Sequence, residues 1–185
     1  LGDVYKRQLL SFENVVTALF HEFGHAMHGI LTNVTYPSMA GTSGPRDFIE
    51  LPSQLLEHWA SEPEVLKSFA KHYETGESIP DELIEKILKA SKFNQGFINT
   101  EYLAASLLDM DWHTISYTDP LKDSNEFEKV SLEKIGLIDE IAPRYRSTYF
   151  AHIFSGGYSS GYYSYVHAAV LDSDAFEAFK EAGDV

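Results

Sequence analysis

The stretch "TALFHEFGHAMHG", residues 17–29, sets three histidines and a glutamate in a run that is otherwise small or apolar. Wound at about 100° per residue, residues 15–31 put Val16, Leu19, Phe20, Phe23, Met27 and Ile30 on one side, within roughly 100° of arc. His21 and His25, spaced i and i+4, fall within about 40° of each other on the opposite side. The polar pair therefore lies outside the apolar stripe and faces a second environment. Gly24 between the two leaves the helix surface open to close approach. Two imidazoles one turn apart can reach one metal ion, and Glu22 beside them can reach a water on it. A pair of solvent-facing or hydrogen-bonded histidines is the other reading of the pentapeptide. His28, one turn beyond His25, is expected to stay outside the ligand set.

A catalytic zinc site needs a third protein ligand and a water. The metzincin continuation requires Gly at position 28 and His at 31, and the chain has His28 and Leu31 there. That class is excluded. A glutamate on a following helix is the other common solution, and "RDFIELPSQLLEHW" offers Glu50, Glu57 and His58. Asp47 can cap this helix, with Glu50 in its first turn and Pro52 kinking it early. Glu57 lies seven residues on, on the same face. Chemistry alone leaves Glu50 only modestly ahead of Glu57.

The rest of the chain is read as mainly α, with a small β element expected near residues 33–41. Ser11 can cap the histidine helix, which should run to about Leu31. "SEPEVLKSFAKHYETG" reads as a short helix from Pro63, stopped at Gly76. "SIPDELIEKILKASK" reads as a helix capped by Ser78, with Leu83, Ile84, Ile87 and Leu88 as its stripe. "TEYLAASLLDMDWHTI" reads as a helix burying Leu103, Leu107 and Met110. The charge-rich "TDPLKDSNEFEK" is expected to be a surface loop, and "MAGTSGPRD" an irregular one. No internal repeat appears.

Fourteen basic against 28 acidic residues give a net charge of −14. That argues against nucleic acid or a membrane surface as partner. Cysteine is absent, which excludes disulfides and thiolate chemistry and fits a cytoplasmic location. Residues 1–8, "LGDVYKRQ", show no periodicity and are expected to be a non-native leader, with residues 9–185 forming a fragment of a larger catalytic domain.

Taken together, "FHEFGHAMHG", "GTSGPRDFIELPSQLLEHW" and "HIFSGGYSSGYYSY" resemble the thimet oligopeptidase family of zinc metallopeptidases. The closer likeness is to the bacterial peptidyl-dipeptidase, oligopeptidase A-like branch, from about Leu9 to Ala182. The resemblance implies one zinc ion per chain held by His21, His25 and Glu50, a zinc-bound water as nucleophile, and Glu22 as general base. It implies that His152, Tyr158 and Tyr165 bind substrate and stabilise the tetrahedral intermediate. Tyr162 and Gly156 would contact substrate, and Tyr163 would pack inward. His167 departs from the family's usual aromatic or apolar residue. Beside the resemblance stands the composition of the segment. Six of the eleven tyrosines lie between residues 145 and 165, flanked by glycine and serine. Such phenols fill a core poorly and make good donors to an oxyanion.

The expected function is hydrolysis of short oligopeptides, with release of C-terminal dipeptides. The alternative is a catalytically silent zinc- or peptide-binding fragment. By the same resemblance, family members are helical shells around a deep channel. The N-terminal portion of the parent chain, which forms the opposite wall, would be a partner missing here, and apolar faces that meet it would be exposed.

Overall fold

The computed structural model describes residues 16–120 and 123–183. Both the expected leader and the Ser11 cap lie outside them. The described residues hold eight α-helices and no strand, so the chain is mainly α as expected. They divide into two compact units.

The first unit comprises residues 16–45, 49–89 and 169–183 among those described. Helix α1, Ala18–Ile30, carries the two histidines. It ends at Leu31, whose N–H donates to Met27 O at 2.9 Å. Helix α2, Leu51–Ala60, follows, with Glu50 at its N-cap position. Asp47 is therefore not the cap. Pro52 falls in the first turn, where a missing N–H costs no intrahelical bond. Gly24 is the buried residue of α1. A Cβ there would lie 2.5 Å from Ser53 Cα and 2.6 Å from Pro52 O, so only glycine lets the two backbones meet.

The expected β element at 33–41 is replaced by two 3-10 turns, Pro37–Met39 and Gly41–Ser43. Pro37 has no N–H to give a ladder. Gly41 has φ +48°, and its N–H donates to Thr32 Oγ1 at 3.1 Å. Among the described residues, one isolated β-bridge joins Lys71 and Ser78. Helix α3, Pro63–Phe69, is shorter than its sequence suggested, and Gly76 sits in a turn beyond it with φ +72°. Helix α4, Asp81–Ala90, buries Ile84, whereas Leu83 and Leu88 stay exposed. Ser78 is not its cap, since the hydroxyl donates to Lys67 O at 3.0 Å.

The second unit comprises residues 46–48 and 90–168 among those described. It contains α5, Gln95–His113, α6, Ser124–Lys134, the short α7, Ala151–Phe154, and the first turn of α8, Ser164–Ala182. The supposed surface loop is helical from Ser124 onward. Asp123 caps α6 by accepting from Asn125 N–H and Glu126 N–H, both at 3.0 Å. The buried side of α5 is Ala104, Ala105, Leu108 and Asp109. Leu103, Leu107 and Met110, expected inside, are 48%, 45% and 40% exposed. The reason is steric. The rings of Phe150 and Tyr162 fill this core with Ile153, which leaves room for alanines on α5.

Candidate functional site

In the first unit, His21 and His25 present their edges to one carboxylate. His21 Nε2 lies 3.4 Å and His25 Nε2 3.1 Å from Glu50 Oε2. The two imidazoles stand edge to face, with centroids 4.9 Å apart. One ligand atom from each of the three residues falls within 4.8 Å of the others. Glu50 is 2% exposed, and Ser53 Oγ donates to it, 2.9 Å from Oε2 and 2.8 Å from its backbone oxygen. A buried carboxylate facing two imidazole nitrogens is a donor set that zinc accepts, so the residues fit a divalent ion. His25 Nδ1 is buried and has no hydrogen-bond partner among the described residues.

The other ring nitrogen of His21 has a definite partner. Nδ1 lies 2.6 Å from Glu57 Oε1. That bond is the main reason the imidazole's pKa is raised above 6.5; burial opposes it, while the charges of Glu57, Glu50 and Glu22 add to it. Glu57, the runner-up as ligand from chemistry alone, instead braces a histidine from behind and leaves Nε2 facing Glu50. Glu22 is exposed beside the group, and His28 is half-buried. His58, on the same helix as Glu57, pairs through Nε2 with Asp172 Oδ1 at 2.7 Å.

In the second unit, the segment from Ala151 to Tyr165 turns back on itself. Gly156 N–H donates to Ala151 O at 2.7 Å and Tyr158 N–H to His152 O at 2.9 Å. A Cβ on Gly156 would come within 2.9 Å of His152 Cα, so the turn needs glycine for its own backbone. Gly157 has φ +81° and lies against the Arg46 guanidinium, which sits 5.1 Å from the centre of the Tyr158 ring. Tyr158 and Tyr165 stack at 5.4 Å with 17° between planes, and His152 lies 6.1 Å and 6.5 Å from them.

Tyr162 and Tyr163 reverse their expected orientations. Tyr162 is 1% exposed and Tyr163 44% exposed. Tyr162 packs on Phe150 and Tyr102, and burial pushes its phenol pKa far up. Tyr163 points out, with its hydroxyl 3.5 Å from Asp47 Oδ2. His167 is exposed, so its departure from the family pattern disturbs no packing.

The sequence matches Peptidase family M3 over residues 5–185. The chain belongs to that family. It is 46% identical over 176 residues to a dipeptidyl carboxypeptidase of Escherichia coli (strain K12), covering 95% of this chain and 26% of that protein. It is 38% identical over 183 residues to an oligopeptidase A of Haemophilus influenzae, covering 98% of this chain and 27% of that protein. With an organellar oligopeptidase A of Arabidopsis thaliana the identity is 40% over 188 residues, 99% of this chain and 23% of that protein. The chain thus spans about a quarter of the length of these relatives. The family is one of peptidases by its description. No described helix is long and apolar enough to cross a membrane.

Within family M3, the histidine spacing and Gly24 were readable directly from the sequence. The part Glu57 takes was not. Glu50 and Glu57 share a helix face, and nothing local says which carboxylate reaches Nε2 and which reaches Nδ1. That choice is made by how closely α1 approaches the start of α2.

Proposed function

We propose that this chain carries the catalytic centre of a zinc peptidase that hydrolyses short oligopeptides, releasing C-terminal dipeptides. The convergence of His21, His25 and Glu50 on a common point, with Glu22 beside them, carries the proposal. These three residues would hold the metal. Zinc supplies Lewis acidity, which polarises a carbonyl and makes water acidic near neutrality.

The chain's own residues supply the rest. Glu22 accepts a proton from the attacking water and delivers it to the leaving amine. Glu57 keeps a proton on Nδ1 of His21, so that Nε2 is the nitrogen available to a metal. His152, Tyr158 and Tyr165 donate to the oxyanion or grip substrate, and Gly156 lets the backbone come near. This assignment rests on the family motif and on the stacked pair of half-buried phenols. Tyr162 enters as support for those rings, since its own phenol is interior. Dipeptide release rests on the dipeptidyl carboxypeptidase relative, and the absence of cysteine supports a cytoplasmic site of action.

The test is zinc stoichiometry together with hydrolysis of a quenched fluorescent oligopeptide, with a chelator as control and mass spectrometry of the products. Glu22→Gln should keep about one zinc per chain and lose about 10²–10⁴ in kcat. His21→Ala should lose both metal and turnover. Tyr165→Phe should lower kcat by about 10²–10³ with zinc retained. Normal turnover by the Glu22→Gln variant would remove that residue as base. Zinc bound by the unaltered chain without hydrolysis of any peptide would favour the second reading, a silent binding fragment.

A further inference from the structure

Asp109 is a carboxylate with 0% exposure, on the side of α5 that also buries Ala104, Ala105 and Leu108. A charged group in such surroundings is costly unless donors fill its oxygens. Two of its donors come from the tyrosine segment. Ser160 N–H donates to Oδ1 and Tyr162 N–H to Oδ2, each at 2.9 Å. From its own helix, His113 Nδ1 approaches Oδ1 at 2.7 Å and the Asp109 backbone oxygen at 2.9 Å.

The two clamped amides are not ordinary ones. Ser160 has φ +56°, a region that non-glycine residues seldom enter. Asp109 Oδ1 holds the amide of that unfavourable residue. Tyr162 is the buried ring against which Tyr165 packs at 5.4 Å. Residues 160 and 162 lie between Tyr158 and Tyr165 in the chain, and those two rings stack. A helix that needed only to fill space here would do so with an apolar side chain. What a carboxylate adds is two acceptor oxygens set side by side, aimed at alternate amides of a loop without regular secondary structure.

We propose that Asp109 is a positioning residue for the peptidase reaction: its carboxylate clamps the amides of Ser160 and Tyr162 and thereby fixes the stacked phenols of Tyr158 and Tyr165. This rests on the reading that those phenols act on substrate. Asparagine has the same shape but only one acceptor oxygen, and its amide nitrogen would set a donor against one of the loop N–H groups. Displacing a catalytic group by about 1 Å can cost ~10² in rate.

The test is Asp109→Asn in the full chain, read by hydrogen exchange at residues 160 and 162 and by peptide hydrolysis. Exchange at both amides should rise at least about tenfold relative to the α5 amides. The kcat value should fall about 10- to 100-fold while KM moves less than about threefold and zinc content is unchanged. If Asp109→Asn does not fold, His113→Phe decides, because it leaves the carboxylate in place and removes a donor that orients it. It should give the same pattern at smaller amplitude. Exchange and kcat both at the unaltered level in a folded variant would overturn the clamp. So would a drop in kcat that merely follows global loss of protection. The two readings fail separately. If the unaltered zinc-loaded chain cleaves nothing while the variant frees residues 160 and 162, the peptidase reading fails and the clamp stands. If the unaltered chain cleaves peptides and the variant matches it throughout, the clamp fails and the peptidase reading stands.

Discussion

At the residue scale, Glu57 shows how a residue outside the proposed ligand set can act on it. Its bond to His21 Nδ1, at 2.6 Å, does two things at once. It selects the tautomer with Nε2 free for a metal, and it raises the affinity of the metal-free ring for a proton. Loss of such an orienting carboxylate typically costs about 10- to 100-fold in metal affinity. Glu57→Gln should therefore weaken zinc binding by about that factor in a competition titration, with the fold retained. An unchanged affinity would mean that Glu57 does not orient the ring. The proton gives an independent check on the metal-free chain. A pKa raised in the folded state contributes stability that is complete below 6.5 and is lost as pH rises through the raised value. The Tm gap between the unaltered protein and Glu57→Gln, both zinc-free, should be larger just below pH 6.5 than well above it, shrinking as pH rises through the raised value. A gap that grows with pH would have the wrong sign for this pair.

At the element scale, the approach of α1 to α2 is what brings ligands from two helices together, and Gly24 controls it. Alanine there gains up to about 1 kcal/mol in helix propensity. Against this stands a Cβ placed 2.5 Å and 2.6 Å from backbone atoms of Ser53 and Pro52, which cannot swing away as a side chain could. Overpacking of this kind costs about 1–3 kcal/mol, so the clash wins. Gly24→Ala should lower Tm and also weaken zinc binding, because the helices must part where the ligands meet. A Tm at or above the unaltered value would show that they can slide instead. The same element explains what the sequence could and could not reveal. The spacing of His21 and His25 is a property of one helix and was legible. Which side of α1 is covered is a property of its neighbours. Leu19, Phe23 and Ile30, on the apolar side, are 66%, 54% and 72% exposed, whereas glycine makes the buried contact. On α5 the same lesson recurs, since hydropathy favours Leu103 and Leu107 while the aromatic core accepts Ala105. Helix α6 departs from the loop its sequence suggests for another reason. Its charge suggested a loop, but an aspartate followed by two amides it can cap is a helix start.

At the scale of the whole molecule, the described residues form two compact units, and the proposed metal ligands all belong to one of them. His21 and His25 come from α1 and Glu50 from the N-cap of α2, while Asp172 ties α8 to His58 of α2 within that unit. The second unit has its own core of Ala105, Phe150, Ile153 and Tyr162. A ligand that binds only the folded state stabilises it by RT ln(1 + [L]/Kd), about 4 kcal/mol at a thousandfold excess over Kd. That stabilisation is felt by whichever segments must be folded for the site to exist. Zinc should therefore slow hydrogen exchange across residues 18–30 and 50–60 far more than across residues 95–113 and 150–165, and a chelator should reverse it. Both effects can be read from one peptide-resolved exchange experiment. Equal protection of both sets would mean that the units unfold as one, and that metal affinity is coupled to the order of the tyrosine segment. Protection confined to the first set would make the clamp at Asp109 the separate device that orders the second.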